Sequence, residues 1–143
     1  MTDEVIKEEF SKCLNQQETL NSYVLGLEYF SFWNYILQNI LSQTGQTVPV
    51  RNFLIGLTNQ RLLIAEISSY YSFDRLTSID FSEIEKIDIK NFLTAKIFYI
   101  KLKKYSEPHI IKIPKIKIGI FRIMPSNQKE NLEKMCQFFS KFI

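Results

Sequence analysis

Cysteine and histidine are nearly missing from this chain, and that removes most catalytic and metal chemistry at the outset. Two cysteines, Cys13 and Cys136, and one histidine, His109, are all that 143 residues supply. With no CxxC pair and no HExxH, zinc has no ligand set, and no metal is expected. Two cysteines make no disulfide framework. Each falls in a terminal segment read below as a helix, where it serves as a small buried side chain; a bridge stays open if those helices meet. The four glycines, Gly26, Gly45, Gly56 and Gly119, are too scattered to cradle a phosphate. No GxSxG, P-loop or GxGxxG is present, so no cofactor is expected. Long apolar runs are absent too. The opening MTDEVIKEEF is acidic and amphipathic, without the basic start and apolar block of a secretory signal. A reducing cytoplasm is the expected compartment.

What is present is an ordinary core with many rings. The hydrophobic share is 45%, which suits a single globular domain over 1–143, and twelve Phe and seven Tyr raise the aromatic share to 14%. Charge is uneven. Residues 1–85 carry five basic against eleven acidic side chains, whereas residues 86–122 carry ten basic against two acidic. A basic segment of that density attracts phosphates on lipid or nucleic acid. It is equally what a solvated sheet face looks like.

Periodicity divides the chain. Within 1–20, Ile6, Phe10 and Leu14 repeat at helical spacing from residue 3 to about 16, with Asp3 and Glu4 at the positive end of the helix dipole. The segment 23–41, YVLGLEYFSFWNYILQNIL, is ambiguous: Tyr23–Leu27 reads as a strand. From Leu27 onward Glu28, Ser31, Asn34, Gln38 and Asn39 draw one thin polar stripe along a helix. That helix packs on a sheet or a partner, or lies at a membrane surface, although it has no Lys or Arg on its polar face; a pair of strands is the remaining reading. A loop with Gly45 and Pro49 follows. Residues 50–122 are β-rich. FLIGL and LLIAEI flank the break Thr58-Asn59-Gln60-Arg61, a hairpin from Phe53 to Ile67. After a turn at Ser68–Ser72, Thr77–Ile89 alternates apart from one break at Ser82-Glu83. Ala95–Leu102 alternates with Phe98, Ile100 and Leu102 on one face. A turn through His109 leads to a return strand, Ile110–Ile113, ended by Pro114, and Ile116, Ile118 and Ile120 suggest a last short strand. The tail 126–143 is a helix, capped by Asn127 with Glu130 three residues on, and Leu132, Met135, Cys136, Phe139 and Phe142 form its apolar face.

The words GLTNQRLL resemble the second hairpin of bacterial pleckstrin-homology-like and GRAM-type domains, where an LTNxRL phrase recurs, and DFSEIEKIDI resembles the segment leading into their next strand. The resemblance covers about residues 50–143. It implies an α+β fold: a bent β-sandwich or partial barrel of six or seven antiparallel strands, capped by a C-terminal amphipathic helix. One or two N-terminal helices are additions to that pattern. It also implies a non-catalytic binding module in a bacterial cytoplasm.

Two surfaces are candidates for that binding. Phe30, Trp33 and Leu37 form an aromatic and apolar face for a protein partner or a second copy. Lys101, Lys103, Lys104, Lys112, Lys115 and Lys117 form a cationic surface for anionic headgroups at the inner face of a membrane, or merely guard the sheet against aggregation. Specific phosphoinositide recognition is disfavoured: the family members that have it carry Lys/Arg in the loop between their first two strands, and Gln43–Arg51 offers only Arg51. Nucleic acid is the weaker expectation, since Phe98 is assigned to the core and the rest of the chain is acidic. His109, Glu83, Glu85 and Asp88 read as surface residues, and no enzymatic activity is expected.

Overall fold

Two apolar residues four apart nucleate the first element. In the computed structural model, which describes residues 2–28, 52–67, 72–92, 95–106, 108–114 and 125–142, helix α1 runs Asp3–Ser11 and buries Ile6 and Phe10 completely. Thr2 caps it, its hydroxyl accepting from the Val5 N–H. The helix stops at Ser11, short of residue 16. The next backbone groups go elsewhere: Arg61 donates to the Cys13 carbonyl, and the Asn15 N–H donates to Glu18.

Seven strands follow: β1 Leu20–Glu28, β2 Asn52–Thr58, β3 Arg61–Ile67, β4 Phe73–Asp80, β5 Ile84–Phe92, β6 Ala95–Leu102 and β7 His109–Pro114. All pair antiparallel in the order β4-β3-β2-β1-β7-β6-β5. β1 joins the two halves. Most of its length pairs with β2, but only Leu27 and Glu28 reach β7. A four-stranded and a three-stranded layer therefore diverge from β1; among the described residues the sheet is not closed, and β4 and β5 are its edges. A 3-10 turn, Phe81–Glu83, links those edges where the sequence alternation breaks. Helix α2, Gln128–Phe139, ends in a 3-10 turn over Ser140–Phe142.

The layers share one core. Val24, Ile55, Leu57, Leu62 and Ile79 from the first meet Ile87, Phe98, Ile100 and Ile113 from the second, and Leu132, Met135 and Phe139 of α2 complete it. The opposite face of the first layer is covered by α1, through Ile6, Phe10, Tyr23, Leu25, Leu54 and Leu63. Gly56 makes that contact possible, since a Cβ there would lie 2.7 Å from Phe10 Cε1.

Several expectations change. Leu27 and Glu28 belong to β1 and not to a helix, because they form the rungs that carry the sheet from β2 to β7. β4 begins at Phe73, earlier than the alternation from Thr77 suggested. His109 opens β7 opposite Ile100, so it is a ladder residue and not a turn residue. Ile97 faces away from the core with Tyr99 yet is only 4% exposed, so β6 is buried on both faces there. Asn127 holds the N-cap position of α2, but its side chain caps nothing. The expected helix over residues 29–41, the loop 43–49, most of the turn 68–72 and the strand at 116–120 lie outside the described residues.

Among the described residues, Ser22 Oγ is a buried side-chain atom with no hydrogen-bond partner. An unpaired buried hydroxyl keeps its full desolvation cost. Ser22→Ala is therefore expected to raise the unfolding free energy by about 1 kcal/mol, read in a urea titration.

Candidate functional site

The motif that stands out in the sequence turns out to be scaffold. Thr58 Oγ1 accepts from the Gln60 and Arg61 N–H groups, which shapes the β2–β3 turn, and itself donates to Glu18 Oε2 at 2.7 Å. Asn59 accepts from the Thr19 N–H and donates to the Gln17 carbonyl. Arg61 places Nε 2.9 Å from Glu18 Oε2 and Nη2 3.0 Å from Oε1, with further bonds to the Cys13 carbonyl and Ser78 Oγ. Glu18 is buried, and the Arg61 guanidinium holds its carboxyl at about 2, below the ordinary 4.5, against the opposing effect of burial. The side chains of Thr58, Asn59 and Arg61 are therefore already committed within the fold. The task of this turn is to fasten the chain after α1 to the hairpin.

A second tie spans the molecule. Asp3 accepts from Tyr23 Oη at 2.7 Å and from the Ser126 hydroxyl, joining α1, β1 and the start of α2. The Ser126 hydrogen bond does most to hold Asp3 below its usual range, while burial first, then Asp3, push the Tyr23 phenol up. Burial likewise pushes the Cys13 thiol up.

Four of the six candidate lysines, Lys101, Lys103, Lys104 and Lys112, lie within the described residues. Lys101 and Lys86 stand opposite each other on the outer face of β6 and β5. Lys101 Nζ lies 3.3 Å from Glu85 Oε2, Lys104 Nζ 3.9 Å from Glu83 Oε1, and Lys86 Nζ 3.6 Å from Asp88 Oδ1. Lys103 is exposed, and its backbone N–H bonds the Glu83 carbonyl. Glu83 and Glu85, counted with the acidic part of the sequence, thus fold against the basic part and offset it. Lys112 sits in β7 opposite Ile97, while Lys115 and Lys117, like Phe30, Trp33 and Leu37, lie outside the described residues. The basic hairpin carries three rings that could stack on bases, Phe98, Tyr99 and Tyr105: Phe98 is fully buried, Tyr99 lies under Lys90, 5.1 Å from the ring centre, and Tyr105 is exposed.

Two features escaped sequence reasoning. Phe81, Phe138 and Phe142, all half-buried, gather beside the Phe81–Glu83 turn with ring centres 4.8–6.4 Å apart, and Lys141 Nζ covers Phe138 at 4.9 Å. The phrase FFSKF was the available signal. The other is β4, exposed from Asp74 to Ser78 and free along one edge among the described residues. It lacks the strict alternation that would have announced it.

Among the described residues no group of His, Cys, Asp and Glu side chains is placed to hold a metal, and no helix is long and apolar enough to cross a membrane. Residues 14–141 match the family model described as Bacterial PH domain. The chain belongs to that family. Its PH architecture explains the open sheet and the helix laid into it, and the family is generally non-catalytic, binding proteins or lipids. No curated protein matches the sequence. Among solved structures it is similar to a pleckstrin homology domain from Shewanella amazonensis SB2B, at 12% identity and TM-score 0.48, covering 96% of this chain and 94% of that one. It is also similar to the hSac2 domain from human phosphoinositide phosphatase Sac2, at 10% identity and TM-score 0.52, covering 96% and 80%. At that identity, what is shared with the hSac2 domain is the fold.

Proposed function

We propose that this PH domain acts as a single-domain, non-catalytic binding module of the cytoplasm that engages a protein partner or its own copy. The observation that carries this reading is the open sheet, with β4 exposed from Asp74 to Ser78 and free along one edge among the described residues. Unpaired strand edges offer main-chain donors and acceptors to another chain. The pairing of Lys101, Lys104 and Lys86 with acidic neighbours weighs the same way, because it leaves less positive charge for an anionic surface.

A second reading has one observation in its favour. Lys103 and Lys104 lie beside the Phe81–Glu83 turn, near the Phe81, Phe138 and Phe142 rings and Lys141. Rings ringed by lysines suit the interface of an anionic membrane. Light scattering after size exclusion, with flotation on phosphatidylglycerol vesicles, separates the two. The protein-binding reading expects a mass above 17.0 kDa that persists to about 1 M salt, where screening lengths fall to about 3 Å. It also expects K101E/K103E/K104E to leave that mass unchanged. A monomer that floats with vesicles at low salt, and loses them in the triple variant, would overturn it in favour of the membrane.

A further inference from the structure

We infer that β4 is the contact between copies: two chains pair their β4 strands antiparallel about a two-fold axis at Leu76, running one sheet through both molecules. The inference rests on the self-association reading and names its surface.

The two edges of the sheet are not alike. β5 carries the usual guards against edge pairing. Its ladder with β6 breaks between Ile84 and Lys86, leaving Glu85 as a bulge, and Lys86 and Lys90 are exposed on it. β4 has neither lysine nor proline. Its one bulge is near its start, where Ile67 pairs with Phe73 and Glu66 with Arg75, so that Asp74 is the extra residue. Beyond it Leu76-Thr77-Ser78 is uncharged, and Leu76 is 40% exposed, one of three large apolar side chains so placed among the described residues.

Symmetry then restricts the register. A two-fold relating antiparallel strands of one sheet brings together side chains of the same face, so the axis passes through a residue. An axis at Thr77 sets Asp74 against Asp80 and Leu76 against Ser78. An axis at Ser78 sets Leu76 against Asp80. The axis at Leu76 brings Leu76 to Leu76, Arg75 to Thr77 and Asp74 to Ser78, with no like charges opposed. Only this register covers the exposed leucine with another apolar group. The paired segment is short, so the dimer is weak and depends on concentration.

Sedimentation velocity over a concentration series tests this with L76K and L76E, both at an exposed position. The wild type is expected to move from 17.0 kDa toward twice that mass as concentration rises. Each variant places like charges opposite each other on the axis and is expected to weaken pairing about tenfold or more, while an equimolar mixture restores it. Under mild oxidation L76C is expected to cross-link to itself, since directly opposed Cα atoms in a ladder lie about 4.5–5.5 Å apart, and T77C is not. A wild type monomeric at every concentration overturns both this inference and self-association. Assembly unaffected by either variant overturns β4 while leaving self-association standing. Monomeric variants that fail to recombine overturn the axis at Leu76.

Discussion

Replacing Arg61 by leucine is expected to lower the unfolding free energy by about 3–5 kcal/mol, the cost of leaving a buried charge without its partner. Glu18 would keep only the Thr58 hydroxyl and the Asn15 N–H. The Cys13 carbonyl would lose its donor as well. Urea titration measures the loss, and R61L/E18M checks its cause: removing both charges should cost less than R61L alone, because no orphaned carboxylate remains. Acid reports on the same pair in the wild type. A carboxyl held at about 2 in the fold, against 4.5 when free, stabilises the protein fully above its ordinary value, and that contribution fades as pH falls from about 4.5 through 2. In R61L this part of the pH dependence is expected to flatten or reverse. A variant as stable as the wild type, or one with an unchanged acid limb, would show that the pair is incidental.

Gln128→Leu is expected to cost about 2–6 kcal/mol through two backbone groups at once, at about 1–3 kcal/mol for each unpaired group. Where β1 turns from β2 toward β7, its edge at Tyr23–Leu25 has no neighbouring strand among the described residues. The side chains of α2 take that place: Gln128 accepts from the Leu25 N–H and donates to its carbonyl, both at 2.9 Å, and Asn131 donates to the Tyr23 carbonyl at 2.9 Å. Gln128 is only 3% exposed, so water does not easily replace it. Gln128→Glu should be at least as damaging, since a carboxylate has no donor for the carbonyl and brings a charge inside. Hydrogen exchange at the Leu25 amide is the local readout; protection retained in both variants would mean that the helix is held by its apolar face alone.

Local periodicity determined what local forces control. Ile6 and Phe10 mark α1 before any partner is known, and the β2–β3 hairpin is legible in its two apolar runs and polar break. The alternation over Thr77–Ile89 and Ala95–Leu102 marks the end of β4, most of β5 and all of β6, with the break at Ser82-Glu83 falling between β4 and β5, and the LTNQRL phrase points to the family. β1 is legible only from Tyr23 to Leu27; its start at Leu20 and its end at Glu28 are not, because Val24 on one face and Tyr23 and Leu25 on the other are all buried. A strand covered on both sides shows no period of two. The roles of the polar residues belonged to tertiary structure alone. Glu18 meets Arg61 across 43 positions, and Gln128 meets Leu25 across 103. Glu83 and Glu85 turn back on lysines that the linear charge count had left unopposed. Burial decides what a polar side chain does, because only where water is excluded does a carboxylate or an amide need a particular partner. Which residues are brought out of water together is a property of the packed layers and is not written in the neighbouring sequence.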